Sequence, residues 1–571
     1  MVGASLVPQD LGWLMVVAQH EVEFTVTVDI HDRETAPVLD AIGAVDERDD
    51  VGEGAVPVVA EEHVAFVAVQ AVLAGVQEPA RPVRESIPAL THAPHPTHAA
   101  GSVSQGHLRP AAAPDDVLAA LDATIARASR SALYAERLAT VRLRTLADLR
   151  ALPLTTRSDL QQAGPHGTRA VPLSQVVHYG ESSGTSGATN STWLTAADFD
   201  RDARALRARH PDVFAPGRVI LNRFPFMAAP AHLVQLIAQQ GGGVAIPAGN
   251  INWDVPFPRA LELAQRTGAH VLAGMPMEPV VLGEIARAAG VDVCHDLALD
   301  TFFLGGSSLP PALQRRLTRT WGARVIELYG STETMLLGTS CPAGTLHLEP
   351  SLVFAEILDP ATGEPAAEDR EGALVITTLG VEGSPLIRLD TGDVVRRLPP
   401  CSCGDARPAI LVLGRTGEMV TYGARRFHTH ALLDAAAAAA DTLDSGVFFL
   451  VVLPDRLLVR IENGPQPTGE DPLAVLRAAL GDVPIELETV APGDLLDVEL
   501  LGRSPHVYKP VVLSDWTRPG RRILNVMEGM IEWPRPSVAE GRRWLGRTWR
   551  TARRRRRLVR WLPAVEHGRT R

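Results

Sequence analysis

Between Ser182 and Gly187 the chain sets the hydroxyls of Ser182, Ser183, Thr185 and Ser186 around Gly184 and Gly187. Backbone amides freed by glycine, with hydroxyl donors beside them, can wrap phosphate oxygens, although the same composition also makes a plain flexible turn. Tyr329-Gly330-Ser331-Thr332-Glu333 places a hydroxyl beside a carboxylate, suited to one phosphate contact and one magnesium contact, or to an ordinary helix cap. Arg388-Leu-Asp-Thr-Gly-Asp393 ends on a carboxylate after a tight turn, where it can accept from a ribose diol or close a common β-turn; Gly414-Arg415 follows. The chain holds one lysine, Lys509, against fifty-four arginines. Arginine replaces lysine wherever only positive charge is needed, but not where a compact ammonium must reach one atom, so Lys509 marks a candidate for such a place.

Cys341-x5-His347 and Cys401-x-Cys403 supply three thiols and one imidazole, the ligand set of a structural zinc site. Against that reading, Cys-x-Cys is not the common two-residue-spaced knuckle, and reduced cysteines are often inert. Cys294 reads as a core residue.

The elements that must position these groups show in the periodicity. From Arg218 to Gly330 short apolar runs alternate with amphipathic helical stretches, the pattern of crossover units in a parallel sheet. Ligands of such sheets lie beyond the carboxyl ends of the strands. Three turns fall at those ends and should share one cleft: Gly274-Met275-Pro276, Gly305-Gly306-Ser307-Ser308, and Tyr329 to Glu333. Asn222 to Phe226, continuing to His232, joins Gly274-Met275-Pro276 in offering aromatic and apolar groups beside an imidazole, which suits an aryl or medium acyl acid. After Gly414 a helix, a hairpin turning at Pro454-Asp455 and a second helix read as a small α+β domain.

Composition bounds the rest. With 46% apolar and 21% charged residues over 571 positions, the chain is an ordinary globular protein, outside the disordered, collagenous and disulfide-rich classes. No export signal or bilayer-length apolar run is visible, so the cytoplasm is the expected compartment. The net charge of -11 hides a basic tail: sixteen Arg against four Glu from residue 518 onward, +12, leave the preceding residues at -23. That tail interleaves Arg with Trp and Leu, which suits an anionic membrane surface or an acidic carrier protein, or docking on the acidic body; no specific nucleic acid is expected. The expected domains are an acidic leader over 1–105, either a small domain or sequence ahead of a true start, then 110–414, 415–517 and the tail 518–571.

Taken together, the loop at 182–187, the motifs ending at Glu333 and Asp393, and Gly414-Arg415, with the lead-in TLADLRALPLTTRSDL, resemble the adenylate-forming superfamily, in its phenylacetate–coenzyme A ligase-like branch, over about residues 115–515. The resemblance implies an α/β fold: a large adenylate-forming N-terminal domain with parallel-rich sheets plus a small α+β C-terminal lid domain. It implies an acid–thiol ligase using ATP, Mg2+ and coenzyme A to convert a small carboxylic acid to acyl-AMP and then to a thioester. Carried over residue by residue, Ser182, Ser183, Gly184, Thr185, Ser186 and Gly187 would hold the leaving pyrophosphate. Gly305, Gly306 and Ser307 would line the adenine and acyl pocket, and Tyr329, followed by Gly330, would stack on adenine. Thr332 would touch the α-phosphate, Glu333 would hold magnesium, and Asp393 and Arg415 would bind ribose. Lys509 would bridge carboxylate and α-phosphate. Phe226, His232, Gly274, Met275 and Pro276 would form the acyl pocket. Two departures stand out: Ala188, Thr189 and Asn190 replace the Pro and Lys that often follow the loop, and Gly417-Glu418 replaces the usual hinge Asp. The alternatives are an acyl-AMP ligase that delivers to a carrier protein or an amine, and a non-catalytic protein anchored by its tail.

Overall fold

The computed structural model describes residues 114–182, 189–249, 255–367, 370–503, 510–520 and 522–530, together with five strands of the leader. Ser183, Gly184, Thr185, Ser186, Gly187 and Lys509 therefore lie outside the described residues, as does the tail from 531. The chain divides into two compact units, Met1–Gln105 and Gly106–Arg571. In the first, β1 (Gly3–Gln9), β2 (Gly12–Gln19) and β3 (Val22–Val28) form an antiparallel sheet, and β4 (Val58–Ala60) pairs with β5 (His63–Ala65).

The second unit opens with α1 (Pro114–Ala128), α2 (Ala135–Leu138), α3 (Leu146–Arg150) and α4 (Arg157–Ala163). Next come the antiparallel pair β6 (Val176–Glu181) and β7 (Ser191–Thr195), then α5 (Ala196–Arg209), whose start is fixed by a reciprocal Thr195–Asp198 capping box. The crossover region follows: β8 (Val219–Asn222), α6 (Ala229–Gly241), β9 (Val244–Pro247), α7 (Phe257–Thr267), β10 (Val271–Gly274), α8 (Glu278–Ala289), β11 (Thr301–Gly305), α9 (Pro311–Trp321) and β12 (Arg324–Ser331). Each of α6 to α9 carries a proline in its first turn and stops at a glycine in left-handed conformation, so these segments cannot propagate into the strands they feed.

Strands β9-β8-β10-β11-β12 run parallel. β10 and β11 are buried on both faces, which explains their unbroken apolar runs. Leu272, Phe302 and Leu304 face one core with α7, α8 and α9, whereas Val271, Ala273 and Phe303 face another with α5 and α6. The sheet continues antiparallel through β13 (Met335–Ser340), β14 (Leu346–Leu348), β15 (Val353–Leu358), β16 (Glu371–Thr378), β17 (Leu389–Arg397) and β18 (Ala409–Arg415), giving eleven strands in the order β15-β16-β17-β18-β14-β13-β12-β11-β10-β8-β9.

Beyond Arg415 lie the hairpin β19 (Val420–Tyr422) with β20 (Arg425–Phe427), then α10 (Thr429–Thr442), β21 (Phe448–Val452), β22 (Leu457–Glu462), α11 (Pro472–Leu480), β23 (Ile485–Val490), α12 (Val498–Arg503), β24 (Leu513–Asp515) and α13 (Val526–Met530). Their four-stranded sheet is ordered β23-β22-β21-β24. This α+β part does not stand apart. Leu432, Ala436, Val447 and Phe448 belong to the same apolar core as Phe302 of β11 and Val280, Val281 and Leu317 of the large sheet's helices. Arg316 on α9 bonds Asp441 at 3.0 Å and the Asp444 carbonyl at 2.8 Å, and Asp434 accepts the Ala312 N–H at 2.7 Å at the start of α9.

Two expectations need correcting. The tail boundary at 518 is too early: Leu524, Val526 and Met530 are fully buried, so the packed body includes α13. Cys294 is exposed, because Asp292 turns the chain at the surface after α8 by accepting the Cys294 N–H at 2.9 Å, and the thiol reaches the Thr320 carbonyl. Among the described residues no helix is long and apolar enough to cross a membrane.

Candidate active site

Because β10, β11 and β12 are neighbours and parallel, the turns after them open on one edge of the sheet. Met275, after β10, lies against Gly306, after β11. At the end of β12 the chain reverses into β13 through Ser331 to Thr334, with a bulge at Tyr329/Gly330. Ser331 N–H donates to the Thr334 hydroxyl at 3.0 Å, and Thr334 N–H to the Ser331 hydroxyl at 3.3 Å, leaving Thr332 and Glu333 at the tip. Gly330 is demanded by close approach: a Cβ there would stand 1.9 Å from the Met335 carbonyl oxygen. Buried Asp202, on α5, holds the far side of the turn by accepting the Leu336 N–H at 3.1 Å.

β17 and β18 pair with Asp393 opposite Arg415. The Tyr329 hydroxyl donates to Asp393 Oδ2 at 2.6 Å, and Arg415 Nε lies 3.4 Å from Asp393 Oδ1. Three residues expected around adenine and ribose are thus joined through one carboxylate. Burial raises the Asp393 carboxyl above the usual carboxylate range despite its two donors, and burial with the adjacent Asp393 charge drives the Tyr329 hydroxyl well upward.

The expected phosphate loop is described only at its two ends. Ser182 N–H donates to the Asn190 carbonyl at 3.0 Å, and Asn190 N–H donates to the Ser182 hydroxyl at 2.8 Å. Ser182 therefore closes the loop. Asn190 also reaches Glu333, its Nδ2 donating to Oε1 at 2.6 Å.

The expected acyl-pocket residues fall into two groups. Gly274, Met275 and Pro276 are buried, and Gly274 packs against an ion pair unseen in the sequence reading: fully buried Arg223, after β8, whose Nε lies 3.2 Å from Glu278 Oε2 at the start of α8. Burial pushes the Glu278 carboxyl up, with Arg223 opposing. Phe226 and His232 lie at an exposed edge, Phe226 over Gly249 and His232 with its ring 4.5 Å from His178. Burial, and then the His232 charge, lower His178 to about 4.

Glu327, on β12 two residues before Tyr329, was also missed. No described side chain bonds its carboxyl, and burial alone raises it to about 7. The pair Tyr329 and Glu327 on one face of a strand, two residues apart, was the available signal.

Cys341, His347, Cys401 and Cys403 converge at the ends of β13, β14 and the β17–β18 connection, with their candidate ligand atoms all within 4.8 Å of one another. Cys341 Sγ lies 3.7 Å from Cys401 Sγ, and Cys403 Sγ lies 3.5 Å from His347 Nε2. His347 Nδ1 is 3.1 Å from the Arg407 carbonyl, to which it donates, leaving Nε2 facing the sulfurs. The Thr345 hydroxyl, then the Cys403 backbone, lower the Cys401 thiol to about 6.

Residues 125–382 match the family model described as AMP-binding enzyme. A phenylacetate–coenzyme A ligase from Thermus thermophilus is 29% identical over 289 residues, 48% of this chain and 63% of the relative. One from Escherichia coli is 29% identical over 287 residues, 48% and 64%. The chain thus spans less than two thirds of the length of these curated relatives. A 2-hydroxyisobutyryl-CoA ligase, solved in its postadenylation state with an acyl-AMP, shares the fold with a TM-score of 0.60 at 20% identity, over 70% of this chain and 89% of that one.

Proposed function

We propose that this chain, an adenylate-forming, phenylacetate–coenzyme A ligase-like protein, activates a small carboxylic acid with ATP to acyl-AMP and passes the acyl group to coenzyme A. The observation that carries the reading is the set Tyr329–Asp393–Arg415 beside the Thr332–Glu333 turn, at the carboxyl edge of the parallel strands. Tyr329 would present its ring to the base while its hydroxyl orients Asp393 toward the ribose diol. Thr332 would donate to the α-phosphate, where negative charge accumulates as the acid attacks, and fixed donors lower that barrier most. Magnesium at Glu333 would supply countercharge to the phosphates; the half-buried carboxylate, with one neutral amide donor, suits it. Lys509, in the link between α12 and β24, would bring the ammonium that bridges carboxylate and phosphate.

The acid is expected to be aryl or medium acyl, a reading supported by buried Met275 beside Gly306 and by the exposed aromatic ring of Phe226. ATP–pyrophosphate exchange, screened over aromatic and aliphatic acids, tests the activation step. No exchange with any acid would refute it, and a strong preference for acetate or a charged amino acid would refute the pocket reading. Acyl-AMP that persists when coenzyme A is added would favour delivery to a carrier protein or an amine.

A structural zinc ion at Cys341, His347, Cys401 and Cys403 is part of the same proposal. With metal–sulfur and metal–nitrogen bonds of roughly 2.3 and 2.05 Å, a tetrahedron has S···S edges of about 3.8 Å and S···N edges of about 3.6 Å. The distances of 3.7 and 3.5 Å match those edges. The His347 Nδ1 bond to a backbone carbonyl is the usual outer support of such a ligand.

A further inference from the structure

Asn190 is 4% exposed, and its side chain has one satisfied end and one orphan. Nδ2 donates to Glu333 Oε1 at 2.6 Å, while Oδ1 is buried with no hydrogen-bond partner among the described residues. Leaving a buried amide oxygen unpaired is costly, so a protein that keeps one at its phosphate site requires an explanation. The loop does not need this side chain for closure, since the bonds across its neck use the Asn190 backbone and Ser182.

We propose, resting on the acid-activating reading above, that Asn190 is a second protein ligand of the divalent cation held by Glu333. An amide turned by half a rotation about its last bond exchanges nitrogen for oxygen at nearly the same place, and which end faces a partner is fixed by that partner's charge. Facing a bare carboxylate, Nδ2 is the favoured end. Facing a cation shared with that carboxylate, Oδ1 is. The contact already has the needed span. Adjacent oxygens on an octahedron with bonds of roughly 2.0–2.1 Å stand about 2.9 Å apart, and the amide and carboxylate atoms are 2.6 Å apart before any cation spreads them. A neutral amide oxygen is a hard donor suited to magnesium, which binds few protein oxygens and takes the rest from phosphate and water. Asn190 lies at the exit of the phosphate loop and Glu333 on the β12–β13 turn, 143 residues apart in sequence. The cation would therefore tie the loop's exit to the turn that carries Thr332.

The test measures the metal directly. Free Mn2+ is counted by electron paramagnetic resonance in solutions of the full chain with adenosine 5′-(α,β-methylene)triphosphate, and nucleotide affinity is measured separately in EDTA. Asn190→Leu keeps the volume and removes the oxygen; it should weaken Mn2+ in the ternary complex at least about tenfold, as losing ligand support does at metal sites, with nucleotide affinity in EDTA unchanged. Asn190→Asp keeps the shape and adds charge beside Glu333, and should bind Mn2+ more tightly than wild type. Wild-type Mn2+ affinity in the leucine variant, or an aspartate variant no tighter than the leucine one, overturns the assignment. A wild-type chain that takes up neither nucleotide nor Mn2+ would instead sink the acid-activating reading on which it rests.

Discussion

The Glu327 carboxyl offers a prediction whose size follows from its surroundings. Burial raises it to about 7 in the folded chain, against about 4.3–4.5 for an unperturbed glutamate. Between those values the folded chain holds a proton that the unfolded chain has released, so stability falls as pH rises through this window and levels off above 7. Integrating the linkage for a shift of roughly 2.5 units gives a loss of about 2.5 kcal/mol between pH 5 and 8 from this side chain alone. Glu327→Gln has the shape of the neutral form and nothing to ionise. Urea unfolding of wild type and variant at pH 5, 6, 7 and 8 should show the variant gaining on wild type by about that amount as pH rises, the other titrating groups cancelling in the difference. A difference between the two proteins that does not change with pH would refute the argument, because it would mean that water reaches the carboxylate. Since Glu327 lies two residues before Tyr329 on β12, an AMP titration over the same pH range would also report whether its ionisation reaches the base-binding end of the cleft.

Lys509→Ala should cut adenylation by a factor on the order of 10² or more while sparing transfer from a supplied acyl-adenylate, as loss of one transition-state charge contact requires; equal loss in both half-reactions rules the assignment out. Metal analysis should find about one zinc per chain, and Cys403→Ser should lower zinc content and melting temperature without changing nucleotide affinity of the folded fraction. Metal-free wild-type protein would dispose of that site. Ending the chain at residue 519 should destabilise it by on the order of 5 kcal/mol or more, since it removes Leu524, Val526, Met527 and Met530 from the core, whereas ending it at 530 should leave the melting temperature unchanged. Soluble, fully active protein from the shorter chain would refute the packing described for α13.

What was legible in the sequence was local or periodic. The crossover units showed because a helix between parallel strands carries its own amphipathic pattern and its own proline and glycine punctuation, as α6 to α9 do. The turns after β10, β11 and β12 could be placed on one edge for the same reason. Contacts between distant segments were not legible. Arg223 and Glu278 are 55 residues apart, and Tyr329 and Asp393 are 64, so no spacing announces either bond. Asn190 stood out only as a departure from a resemblance; its hold on Glu333 needed the fold. The partial enclosure of Glu327 depends on neighbours that only the fold brings to β12. The same limit explains the two errors: a sulfur after an apolar helix looked interior until Asp292 turned the chain outward, and the arginines after 518 masked the apolar spacing of Ile523, Leu524, Val526 and Met527.

The apolar core shared by α8, α9 and α10 also bears on how this protein can be recombined. A segment that docks through a few polar contacts can be exchanged between homologues at its linker. Here a graft made at Gly414-Arg415 would bring in Val447 and Phe448 without the Val280 and Leu317 shaped to receive them, and the reciprocal graft would leave Arg316 buried without Asp441 and Asp444. The hereditary unit is therefore larger than the small sheet: β21 to β24 must travel with the outer faces of α8 and α9. Chimaeras cut at the linker should be recovered as aggregates, and those that also carry these two helical faces should be soluble, because a buried arginine stripped of its acids costs several kcal/mol.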